Sequence, residues 1–176
     1  MDISKQNTHN AQTQTQTSYI LDFWFPSKGF QKFWFSGNKS SGIDKDIYTK
    51  FSHVLQMYND GQLDNLQNDS FDSILALIIL LDQLTRNIFR NEKRDPKYDI
   101  HALELSKRYI KRMENTRYTP RIEHLVFVLM PFRHTGHYDD TKYVVDFLDT
   151  YKDIYENEKL FQQFKNTSMR MLKKND

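Results

Sequence analysis

Apolar side chains recur along this chain at helical spacing. Ile43, Ile47, Phe51, Val54, Leu55 and Tyr58 lie at i, i+4, i+8, i+11, i+12 and i+15, one stripe of an amphipathic helix. Asn59-Asp60-Gly61 follows as its stop signal. From Ser70 to about Phe89, Ile74, Leu75, Leu77, Ile78, Ile79, Leu80 and Leu81 cover every side of the next helix. A helix apolar all round is buried by its neighbours, so this one is expected at the centre. Ser18 is positioned to cap a short helix carrying Ile20, Leu21, Phe23, Trp24 and Phe25, ended by Pro26. A second short element holds Phe30, Phe33, Trp34 and Phe35.

The C-terminal half continues the pattern. A helix starts near Asp95-Pro96 or Asp99 and runs to about Met113, with Ala102, Leu105, Tyr109 and Met113 inward. Thr119 and Pro120 read as the N-cap and first residue of the next, which carries Ile122, Leu125, Val126, Val128, Leu129 and Met130. Pro131 is expected to end or kink it, since proline lacks a donor and clashes one turn back. Asp139 or Asp140 caps a helix with Val144, Phe147, Leu148, Tyr151, Ile154 and Tyr155 on one face, and Leu160, Phe161, Phe164, Met171 and Leu172 belong to a last one. No segment alternates with the period of a strand. The short linkers imply antiparallel helical hairpins around one central helix, an all-α fold.

The first seventeen residues break the pattern. Gln12 to Thr17 alternate Gln and Thr and bury nothing, which predicts a disordered polar tail over 1–17 and a single helical domain over 18–176. That tail also lacks the apolar core of a signal peptide. The longest apolar run, Ile74 to Leu81, falls well short of the roughly 20 residues of a membrane span. A cytoplasmic protein with no membrane partner is the expectation.

Composition narrows the chemistry. Lysine and arginine total 25 against 23 acidic residues, a net charge of +2, so the whole chain carries no electrostatic footprint of a nucleic-acid binder. The absence of cysteine excludes disulfides, thiolate zinc sites and a cysteine nucleophile. With 38% hydrophobic residues but 14% aromatic ones, the core must rely on rings, each of which buries a large area. No P-loop, G-x-S-x-G elbow or H-E-x-x-H motif occurs.

Several segments together resemble a known family. They are Leu21-Asp22-Phe23-Trp24-Phe25, Trp34-Phe35, the run Leu80-Leu81-Asp82-Gln83-Leu84-Thr85-Arg86-Asn87-Ile88-Phe89-Arg90, Asp95-Pro96, Ala102-Leu103-Glu104-Leu105, Glu123, and Phe127 to His134. The sequence is similar over about residues 19–150 to the bacterial domain-of-unknown-function family 924. The D-Q-x-x-R-N-x-x-R segment is the most specific part. The resemblance implies an all-helical fold of the tetratricopeptide-like superfamily and assigns no activity. The chain departs from the family at Leu84-Thr85, where Phe-Pro is usual, and at Asn91, where Gly is usual. It departs again at Arg133, Thr135 and Gly136 in the proline-led segment, and near Gln163-Phe164-Lys165-Asn166-Thr167, which marks a divergent member with a degenerate C-terminal part.

Three clusters are candidates for function. Asp82, Arg86 and Arg90, at i, i+4 and i+8, share one helix side with Asn87 nearby. They make either an ion-pair network joining helices or, with His134, an anion-binding pocket. In the network reading Arg86 is partly buried on Asp82 and Arg90, nearer the helix end, is wetter. His134-Thr135-Gly136-His137 with Asp139 and Asp140 is read as loop and capping residues, with no metal and no cofactor assigned. Lys107, Arg108, Lys111, Arg112, Arg117 and Arg121 form a basic stripe, read as a solvated face balanced by the acids of 139–153 in preference to an RNA-binding surface. The aromatic residues between Phe23 and Phe35 are read as core. The expected function is a non-catalytic module that binds a protein or peptide partner, with an anionic-ligand binder or small enzyme and an RNA-binding protein as alternatives.

Overall fold

The fold is built outward from one apolar rod. In the computed structural model, which describes residues 15–26, 31–35 and 41–175, this rod occupies residues 71–88 and is designated α3. Ser70 caps it by accepting the Ser73 N–H at 3.1 Å, and every residue from Ser73 to Thr85 is buried. Around it lie α1 (15–24), α2 (Ser41–Asn59), α4 (Lys97–Thr116), α5 (Ile122–His134), α6 (Tyr138–Thr150) and α7 (Lys159–Asn175). Short 3₁₀ turns at Lys32–Phe35 and Asp64–Asn68 and one helical turn at Lys152–Tyr155 complete it. The described residues contain no strand, and none of their helices is long and apolar enough to cross a membrane. The all-α expectation with a buried central helix therefore holds.

Ring contacts fix the direction of the neighbours. Phe71 at the start of α3 meets Tyr109 in the second half of α4 and Tyr118 just beyond its end, with centroids 4.9 and 4.2 Å apart. Arg86 near the end of α3 pairs with Asp99 in the first turn of α4. The two helices are thus antiparallel. Phe127 on α5 collects the aromatic residues of the N-terminal segment. Trp24, Phe25 and Trp34 reach its ring edge-to-face at 5.4, 5.7 and 5.0 Å, and Phe35 stacks at 6.2 Å. Trp34 Nε1 ties the segment together by donating to the Trp24 carbonyl at 2.9 Å.

Several boundaries differ from the sequence expectation. Residues 15–17 are already helical, so Ser18 lies inside α1 and caps nothing. Thr17 is buried because it shares a stripe with Ile20 and Trp24. Residues 1–14 of the expected tail and Phe30 lie outside the described residues. Thr119 and Pro120 stay outside α5, whose N-cap is the extended Arg121. The reason is tertiary: Pro120 is buried and its carbonyl accepts the Tyr155 hydroxyl. Pro131 neither ends nor interrupts the assigned helix, which continues to His134. Proline forfeits one backbone donor there, the one that would meet the Phe127 carbonyl one turn back. The helix expected through Tyr155 breaks at Tyr151 (φ −109°, ψ 8°), which leaves Ile154 exposed.

Candidate active site

The middle of the central rod departs from α geometry. Over Ile79–Leu84 it widens into a π segment, with the Thr85 N–H bonded to the Leu80 carbonyl five residues back. Wide turns of this kind free backbone carbonyls and recur at functional sites. Here the Leu81 carbonyl accepts both the Thr85 hydroxyl and Arg94 Nη2, the latter at 2.6 Å. Arg94 also donates from Nε to Thr85 Oγ1 at 2.6 Å and pairs with Asp99 at 2.5 Å. A side chain from the loop after α3 thus clamps the segment.

Asp82 lies within it and is fully buried. Its Oδ1 accepts from His134 Nδ1 at 2.6 Å and from Arg86 Nη2 at 3.3 Å, and its Oδ2 from Gln83 Nε2 at 2.5 Å. Burial alone pushes the carboxyl pKa up. The charge and hydrogen bond of His134, with help from Arg86 and Gln83, outweigh it and hold the pKa below the ordinary value. Asp82 is therefore ionised at neutral pH, and His134 Nδ1 carries the donated proton. That leaves His134 Nε2 with no bond to a described residue.

The arginines are held by carboxylates. Arg86 reaches Asp99 as well as Asp82. Arg90 makes a forked pair with Asp44 at 2.5 and 2.9 Å and donates to Asn87 Oδ1 at 2.7 Å, and Asn87 Nδ2 donates to the Gln83 carbonyl at 2.9 Å. Arg86, Arg90 and Arg94 thus face Asp44, Asp82 and Asp99, a balanced set joining α2, α3 and α4. The expectation that Arg90 is the wetter arginine is overturned: its side chain is 25% exposed against 35% for Arg86. Asp44, brought by α2, covers it.

The five candidate residues converge. Arg86, Asn87, Arg90 and His134 line one cavity of about 300 Å³ together with Gln83 and an aromatic wall that includes Trp24 and Trp34, while Asp82 lies buried behind His134. The Trp24 indole N–H, also buried, has no partner among the described residues. A second cavity of about 550 Å³ shares His134, Phe35 and Met130 with the first, so the imidazole stands between two chambers. An imidazole oriented through Nδ1 by a buried carboxylate is the arrangement that accepts a proton at Nε2 from water or a hydroxyl.

The other clusters are dispersed. His137 is the N-cap position of α6, and its backbone N–H donates to Thr135 Oγ1 at 3.1 Å. In the basic stripe, Arg108 is tied to the Gln67 carbonyl and Asn68, and Arg112 to the Asp69 carbonyl and the Phe71 ring. Lys107 and Lys111 share a third cavity of about 470 Å³ with Glu114, Asp139 and Asp140. Tyr109 is buried and one face of the Tyr118 ring is stacked on Phe71.

Sequence reasoning missed Gln83, Asp44, Asp99 and Arg94. Gln83 and Asn87 stand four apart, a spacing that signals their contact. The other three arrive from separate elements and leave no local mark.

With this geometry the chain is matched by a family model described as "Bacterial protein of unknown function (DUF924)", over residues 20–175. The protein belongs to that family, and the match extends beyond residue 150 through the last helix. No curated protein and no solved structure matches it.

Proposed function

We propose that this protein is a small-molecule enzyme in which His134, oriented by Asp82, takes a proton from a water or substrate hydroxyl at the junction of the two cavities. The observation that carries the reading is the 2.6 Å bond from His134 Nδ1 to a fully buried carboxylate. Such a partner fixes the tautomer and stabilises the imidazolium formed when Nε2 accepts a proton. Gln83 and Asn87 supply neutral polar groups on the smaller chamber's wall, and the neutralised arginines stiffen it. Membership of the family assigns no reaction, and the reading rests on the site alone.

The interaction-module and tetratricopeptide-like readings have less support. Among the described residues the three most exposed large apolar side chains, Tyr48, Ile100 and Ile154, lie on separate elements.

The test is hydrolysis of a panel of carboxylic and phosphoric esters by wild type, His134→Asn and Asp82→Asn, with folding checked by circular dichroism. At least one ester should be turned over, and both variants should lose roughly 10²–10⁴-fold, the usual value of a positioned base. If wild type and His134→Asn are indistinguishable on every ester, the reading fails.

A further inference from the structure

Arg133 stands next to His134 in sequence and lines the larger cavity, yet it takes no part in the ion-pair network. Its Nη2 donates to Met171 Sδ at 3.2 Å, and its guanidinium lies 4.6 Å from the Phe164 ring centroid. Among the described residues its buried Nε has no partner, and no carboxylate lies within ion-pair distance. Arg86, Arg90 and Arg94 each hold an aspartate; Arg133 holds none. Burial lowers its pKa to about 10, so it remains charged at neutral pH. A partly desolvated cation without a counter-charge is costly to the fold, and an anion from outside would remove that cost.

The chamber around it has matching chemistry. Arg170 on α7 also lacks an ion-pair partner among the described residues and reaches the same cavity. Gln163 and Asn166 add amides, Leu160 and Phe164 with Phe35 and Met130 add apolar wall, and no acidic side chain among the described residues lines it. The whole of α7, Lys159–Asn175, contains five basic residues, Lys159, Lys165, Arg170, Lys173 and Lys174, and no acidic one.

We propose that this chamber binds an organic carboxylate with an apolar body. Arg133 receives the carboxylate, Arg170 assists from the rim, and the hydrocarbon part lies along Phe35, Met130, Leu160 and Phe164. A guanidinium matches a carboxylate through parallel N–H donors. The apolar walls disfavour a fully hydrated ion such as phosphate, and about 550 Å³ is within the usual span of small-molecule sites. Binding here requires no reaction, so the inference does not rest on the proton chemistry assigned to His134.

The experiment is calorimetric titration of the full chain with octanoate, beside acetate, octan-1-ol and inorganic phosphate. Octanoate should bind saturably at one site, at least about tenfold more tightly than any of the other three, because only it satisfies both walls. Arg133→Met should weaken it by at least about tenfold and Arg170→Gln by several-fold, since each removes a charged donor. Lys173→Gln, on the same helix but off the cavity wall, should leave it unchanged. Arg133→Met keeps the apolar stem and removes an uncompensated charge, so it should fold, and the exposed Arg170 provides a second variant that leaves the core intact. The proposal is overturned if octanoate does not saturate, if both arginine variants bind it as wild type does, or if octanol or phosphate binds equally well.

Discussion

Removing the Arg94 side chain should destabilise the protein more than any other single change in the loop after α3. The side chain is only 12% exposed, and its guanidinium makes three hydrogen bonds: to the Leu81 carbonyl at 2.6 Å, Thr85 Oγ1 at 2.6 Å and Asp99 at 2.5 Å. The first two are charge-assisted bonds to neutral acceptors, each worth about 1.5–3 kcal/mol. The third involves a 41% exposed carboxylate and adds about 0.5 kcal/mol after solvent screening. Thr85 keeps its own bond to Leu81, so the carbonyl is not wholly orphaned and the first two do not add fully. The net expectation for Arg94→Ala is a loss of about 3 kcal/mol, with Arg94→Lys losing about half, since one ammonium cannot span all three acceptors. Urea denaturation followed by circular dichroism measures both. A loss under about 1 kcal/mol for Arg94→Ala would refute the idea that this loop residue clamps the π segment.

Other outcomes can be checked in the same assay. Arg90→Ala should cost about 2 kcal/mol and Arg86→Ala about 1, because Arg90 leaves the covered Asp44 unpaired whereas Asp82 keeps His134 and Gln83; the reverse order would refute this ranking. The His124 pKa is lowered to about 4 by burial and by Arg121. The unfolded chain therefore takes up a proton first, and stability should fall by about 2 kcal/mol between pH 7 and pH 5 on this account; an unchanged slope in His124→Gln would disprove it. Tyr155→Phe should cost about 1–2 kcal/mol by leaving the Pro120 carbonyl unpartnered, and a neutral result would mean that water replaces the bond. Arg117 ends α4 in the left-handed region at φ 54°, so Arg117→Gly should raise the denaturation midpoint, by up to about 1 kcal/mol in stability.

Helix identity was legible because burial and period coincide. The stripe from Ile43 to Tyr58 and the all-apolar run from Ile74 to Leu81 each point to one environment, and both found it. Legibility declined where one tertiary contact outweighed a local preference. Thr119-Pro120 is a sound helix start by propensity, but the Tyr155 hydroxyl holds Pro120 outside. At the site, Asp82, Arg86, Asn87 and Arg90 were visible because they lie within two turns of one helix. The partners that neutralise them, Asp44 and Asp99, come from other helices, and no spacing rule connects residues 46 and 13 positions away. The same limit made Arg90 seem the wetter arginine.

The π segment also acts as a phase adjuster. Each residue advances an α-helix by about 100°, so one residue more or fewer in a turn rotates everything after it by that angle. Deleting Leu80 or Leu81, ahead of Asp82, would let the rod close into regular α-helix. It would also swing Asp82, Arg86, Asn87 and Arg90 about a quarter-turn away from His134. The deleted protein is thus expected to remain helical by circular dichroism while the His134 resonances in an NMR spectrum lose their carboxylate-bonded signature. The residue in excess sets the direction in which the last turns of the rod face, and with it the chamber they enclose.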